Sequence, residues 1–157
     1  MLLREEKMEI QSPKIEEIVK KSAERLTVKY DREILVEDAG FFVEALKGFP
    51  GPYASYVYDK IGPEGILRLL EGVSNRAAEF RSAVAFCKPN YIEIFTGKVR
   101  GKIALETKGV NGFGFDPIFI PENESKTFGE MSLEDKTSYS HRARALRKFC
   151  KWYVKKF

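Results

Sequence analysis

The sequence predicts an α/β fold built on a mixed, twisted sheet flanked by helices. Three observations point there. Apolar residues run or alternate with the period of strands at 33–38, 77–88 and 91–105. They recur at three–four spacing in 13–27 and along the C-terminal residues. The two kinds of segment interleave along the chain, which is the pattern of helices packed on a sheet. A length of 157 residues suits one domain with a substantial core, taken here as residues 1–157.

In chain order, the first helix is expected at 13–27, where Ile15, Ile18, Val19, Ala23 and Leu26 share one side. Ser12 and Pro13 precede it as N-cap and first helical residue. Residues 33–38 form a strand, and 48–51 carry turn chemistry. Helices at 53–61 and 63–71 are separated by Gly62-Pro63 and end at Gly72. Residues 77–88 and 91–105 make an antiparallel hairpin about Pro89-Asn90, with Gly97 and Gly101 marking bulges or bends. A glycine-rich loop, 109–116, leads to a short strand at 117–120. Ser132 with Asp135 resembles a capping box. Ser140 starts a final helix in which Ala143, Leu146, Cys150, Tyr153 and Phe157 line one side.

Composition narrows the function. At 43% hydrophobic and 13% aromatic the chain is globular rather than disordered. Its longest apolar runs are only a few residues, too short for a membrane span. Cys87 and Cys150 lie far apart without metal-ligand spacing, which suits a reduced, cytoplasmic protein. The formal charge of +4 is concentrated in the basic C-terminal segment. Such a run suits nucleic acid or a small anionic substrate, but also a solvated helix face. The apolar side of the same helix favours packing, so a nucleic-acid partner ranks last.

Four stretches have the residues for chemistry. Ile34-Leu35-Val36 ends in Glu37 and Asp38, and strand alternation lets at most one of these acids face a cleft. An acid pair there also suits the start of a turn. In 109–116, glycines at 109, 112 and 114 permit positive φ, while Phe113 and Phe115 offer rings for stacking a base or for the core. Lys136, His141 and Arg142 gather cations and a histidine around the start of a helix, where free N–H groups favour an anion or a carbonyl. Glu9-Ile10-Gln11 carries no meaning alone.

In this order, the stretches resemble the inosine triphosphate pyrophosphatase family, also called Ham1-like. The matching residues are Glu9 to Gln11, Val36 to Gly40 with Leu46 to Gly51, Gly112 to Pro117, Thr127 to Glu130 with Lys136, and Ser140 to Arg142 with Ala145-Leu146. The resemblance implies two lobes around a central cleft, usually in a homodimer. It implies Mg²⁺-dependent hydrolysis of ITP, dITP or XTP between the α and β phosphates, which cleanses the nucleotide pool of deaminated purines. By resemblance, Asp38 is the proton acceptor and a metal ligand, and Glu9 is the other metal carboxylate. Ala39, Phe113, Gly114, Phe115, Asp116, Lys136, His141 and Arg142 are the expected substrate contacts.

Two departures accompany the match. The family has Ser where this chain has Ala39, a difference of one hydroxyl contact, about 1 kcal/mol. The family also opens with a strand, a Ser/Thr-x-Asn-x-x-Lys loop that grips triphosphate, and a helix. No such pattern precedes Glu9, so the chain is read as an N-terminally shortened member. Each charge-assisted phosphate contact from that loop is typically worth about 1.5–3 kcal/mol. The alternative is therefore a weakly active or inactive purine-nucleotide-binding relative.

Overall fold

The longest alternating segments form the spine of the molecule. In the computed structural model, which describes residues 10–156, β3 (Ala77–Lys88) and β4 (Tyr91–Ile103) are joined by a two-residue turn. They pair from Lys88↔Tyr91 to Ala77↔Lys102 without a break. β1 (Ile34–Val43) lies on the other side of β3, from Ile34↔Cys87 to Val43↔Ala78. β2 (Pro50–Gly51) and β5 (Phe119–Pro121) complete the order β2-β1-β3-β4-β5.

The α/β class and flanking helices are as expected. Every described strand pairing, however, is antiparallel, where the sequence reading expected a mixed sheet. A two-residue turn can join only antiparallel neighbours, and no described helix crosses between paired parallel strands. β2 pairs with β1 only at Phe41 and Phe42. Among the described residues, the edge of β1 from Ile34 to Gly40 therefore has no strand beside it.

Alternation sorts β1 onto two faces. One face carries Ile34 and Val36, which pack with Ala83, Ala85 and Cys87 beneath α1 (Ile15–Tyr30). That helix begins two residues later than predicted, with Lys14 as N-cap. Ser12 instead accepts the Lys14 N–H at 3.1 Å and donates to Glu17 at 2.7 Å. β1 runs on to Val43, past the predicted 38, because Phe41, Phe42 and Val43 are all buried. The predicted break between two helices appears as a kink at Gly62 within α2 (Ala54–Leu69), just before Pro63.

The opposite face carries two apolar cores. Val84, Phe86 and Phe95 lie under α4 (His141–Lys156), and Phe41, Phe80, Val99, Phe119 and Phe128 pack with α2. The cores part at a row of small residues paired across three strands, Ala39↔Ser82↔Gly97. Gly97 is no bulge, since its pairing is regular. A Cβ there would collide with the His141 carbonyl and stand 2.6 Å from Ala145 N. The missing side chain lets α4 rest on the sheet. Gly101 likewise stays in register and makes room for β5.

α3 (Leu133–Tyr139) and α4 part at Ser140, as predicted. Ser132 accepts the Asp135 N–H at 3.1 Å, and Ser140 accepts the Ala143 N–H at 3.3 Å. The inward side of α4 differs from the expected one. His141, Ala145, Phe149 and Trp152 face the sheet, whereas Cys150 is exposed. Trp152 lies 5.6 Å from Phe86 and 5.3 Å from Phe95, ring to ring. Large rings bury more apolar area than Ala143 or Cys150, so they set the rotation of the helix. Tyr153 is shared by both patterns, and Phe157 lies outside the described residues.

Candidate functional site

The 109–116 loop, α3 and the start of α4 converge at the seam. Gly109, Gly112 and Gly114 all have positive φ, and a Cβ on Gly112 would collide with the Asp116 carboxylate. That carboxylate is buried, accepts the Phe113 N–H at 2.9 Å and pairs with Lys136 Nζ. A buried carboxylate is costly without partners, and here it has a cation and a backbone donor. Asp116 thus closes its own loop and fixes α3 to it. Thr127 and Glu130 form a reciprocal capping box, and the Thr127 hydroxyl donates to Lys108 C=O at 2.7 Å, tying the next turn to the same loop.

The two rings of the loop separate. Phe115 is 3% exposed and stacks on Phe41 at 4.9 Å, so its ring belongs to the core. Phe113 is 64% exposed and presents its ring at the surface. Lys136 Nζ stands 4.6 Å from the centre of that ring, and the Arg142 guanidinium stands 5.4 Å from it. Gly114 gives the turn between the two rings its positive φ.

His141 opens α4 and is 7% exposed. It stacks on Phe80 with centroids 5.0 Å apart. Burial, then the charges of Arg142 and Lys136, push its pKa down to about 3. The ring is therefore neutral near pH 7, with one donor and one acceptor nitrogen. Nδ1 is buried and has no hydrogen-bond partner.

Of the two adjacent acids of β1, Glu37 is the one on this side of the sheet. Its Oε1 accepts from Arg142 Nε at 3.0 Å and from Ser82 Oγ at 2.7 Å. Asp38 projects from the other face, opposite Ala83, and its Oδ1 accepts the Ala39 N–H at 2.9 Å. The sequence reading assigned Asp38 to the cleft and Glu37 to structure. Alternation places Asp38 on the face opposite to that of Glu37 and Arg142. Ala39 lies in the small-residue row beside the cluster. Glu9 lies outside the described residues.

Sequence reasoning missed Glu37, Ser82 and the Phe80 platform. The alternation of β1 and β3 was the available signal for their shared face, because Glu37, Phe80 and Ser82 then fall together. A cavity of about 1130 Å³ lies elsewhere, between the cis-proline turn at 49–51, Arg81, Arg100 and Ile120. None of the predicted site residues that the structure describes lines it.

Asp38 offers hard carboxylate oxygen, the donor type that Mg²⁺ takes singly or in pairs beside water and substrate phosphate. No group of three or more His, Cys, Asp or Glu side chains gathers among the described residues. No helix among them is long and apolar enough to cross a membrane.

The amino-acid sequence matches the Ham1 family over residues 2–152. It is 52% identical over 146 residues to a dITP/XTP pyrophosphatase of Methanopyrus kandleri, covering 92% of this chain and 78% of the relative. A dITP/XTP pyrophosphatase of Thermococcus kodakarensis is 52% identical over 144 residues, with the same coverage of each chain. The solved structure of the Staphylococcus aureus Ham1 protein superposes with a TM-score of 0.86 at 30% identity, covering 90% of this chain and 77% of that one. Matched across almost its whole length in sequence and across most of it in fold, the chain belongs to the Ham1 family.

Proposed function

We propose that this protein hydrolyses deaminated purine nucleoside triphosphates, ITP, dITP and XTP, to the monophosphate and pyrophosphate. The observation that carries this reading is the arrangement around Phe113. An exposed ring is flanked by Lys136 and Arg142, whose charges also act on the buried, neutral His141. Such a ring offers a stacking face, and the cations and imidazole offer donors to a 6-oxo group. Adenine presents an amino donor at that position and would leave those donors unpaired. The names of the relatives support the substrate class.

In this reading Phe113 stacks the purine, and Lys136 and Arg142 supply donors to its oxo edge. Asp116 holds Lys136 and the loop, and the Phe115 ring anchors the loop from beneath. Asp38 accepts the proton of the attacking water at a carboxylate oxygen. Asp38 and Glu9 would hold Mg²⁺, which when bound neutralises phosphate charge and aligns the nucleophile. A homodimer and a cytoplasmic setting belong to the same proposal.

The test is release of pyrophosphate from ITP, XTP and ATP in the presence of Mg²⁺. Turnover of ITP and XTP with little of ATP is expected. Binding of inosine nucleotides without pyrophosphate release would favour an inactive, nucleotide-binding relative. Neither binding nor release would overturn the reading.

A further inference from the structure

We propose that Glu37 is a positioning residue that aims Arg142 at the purine, so that base selectivity depends on the acid next to Asp38 rather than on Asp38 itself. The inference deepens the function proposed above and rests on it. Its basis is a contact between residues 105 positions apart, Arg142 Nε donating to Glu37 Oε1 at 3.0 Å.

Three features make this contact an orienting one. First, arginine carries five N–H donors on a planar fork. A bond through Nε occupies the inner edge of that fork and leaves the terminal amino groups for a ligand. Second, the carboxylate is itself held. Ser82, fully buried, donates to the same Oε1 at 2.7 Å. Third, the seat under the helix is built for close approach. The Ala39↔Ser82↔Gly97 row lacks bulk, and helix backbone lies where a Cβ of Gly97 would stand.

The two cations of the site thus have separate acids. Lys136 pairs with buried Asp116, and Arg142 pairs with Glu37. Both pairs stand beside Phe113. Arg142 is the more exposed cation, and an arginine released to solvent regains many rotamers. Glu37 restricts it to the one that reaches the ring.

Glu37→Gln tests this while keeping shape and an acceptor for Ser82. Losing a charge-assisted bond should raise KM for ITP about 10-fold, with kcat within about threefold. Constants for ATP should stay unchanged, so the preference for ITP over ATP falls by about the same factor. That ratio is internal to each protein, so a general loss of folded material does not move it. Arg142→Ala should lower the preference at least as far, and adding Glu37→Gln to it should lower it no further. Calorimetry with inosine and adenosine monophosphates gives the same comparison without turnover. An inosine preference that survives Glu37→Gln, or a full further loss in the double variant, overturns the inference alone. No inosine preference in the unaltered protein removes the functional reading and this inference with it.

Discussion

The two faces of β1 make opposite use of the same strand. Toward α1, Ile34 and Val36 pack into an apolar layer, and Asp38 comes next along the same face. On the opposite face, the buried apolar residues come later, at Phe41 and Val43 in the core beside α2, and Glu37 precedes them where it meets Arg142 at the start of α4. Adjacent residues with the same charge therefore have different neighbours. The Asp38 carboxylate accepts the Ala39 N–H on its own strand, while Glu37 accepts from Ser82 and Arg142 across the sheet. With the roles proposed above, this separation divides chemistry and base recognition across one strand, so substitutions should affect them independently.

The strongest test of that division is Asp38→Asn. If Asp38 is the general base, kcat for ITP should fall by about 10²–10⁴. The preference for inosine over adenosine nucleotides should persist, because the recognition cluster lies on the other face. Steady-state kinetics on both substrates decides it. A variant that keeps its rate and loses its preference would merge the two faces into one site.

Gly97→Ala probes the α4 face alone. The added methyl would meet helix backbone, the His141 carbonyl and Ala145 N, which no rotamer change relieves. The helix start must lift from the seam, at a cost of about 1–3 kcal/mol. Urea unfolding should show that loss. The inosine preference should weaken too, because His141 and Arg142 move with the helix. A variant of unchanged stability and preference would show that the close seat is unimportant.

Much of this arrangement was legible in the sequence. β3 was predicted residue for residue, because a two-residue turn and regular alternation leave one register. The breaks at Gly62-Pro63 and Ser140 follow from local backbone chemistry, and both appear. The misses are tertiary. The inward side of α4 depends on which rings meet Phe86 and Phe95, and spacing alone fitted two rotations of the helix. Phe113 and Phe115 are two residues apart in one loop, and only Phe41 and the fold around it draw Phe115 inside. Glu37 could be paired with Arg142 only once three strands had brought the helix start over Gly97. The capping box at Thr127 and Glu130, by contrast, was readable from its spacing.

The gentlest probe of the α4 face is proton uptake at His141. Burial and the charges of Arg142 and Lys136 hold its native pKa at about 3, below the usual value near 6.5. Between these values the unfolded chain binds a proton that the folded chain does not. The stability contribution is therefore complete above about pH 6.5 and is lost as pH falls toward about 3. The slope approaches one proton, about 1.4 kcal/mol per pH unit. His141→Phe keeps a ring on Phe80 and removes the titration. Unfolding curves of the two proteins should run parallel above pH 7 and diverge below 6, the unaltered protein falling faster. The α1 face has no buried histidine, since His141 is the only one in the chain, so the difference curve reports the recognition side alone. Equal slopes for the two proteins would mean that His141 takes up its proton at the same pH in the folded and unfolded chains, and the downward shift attributed to its burial would fall.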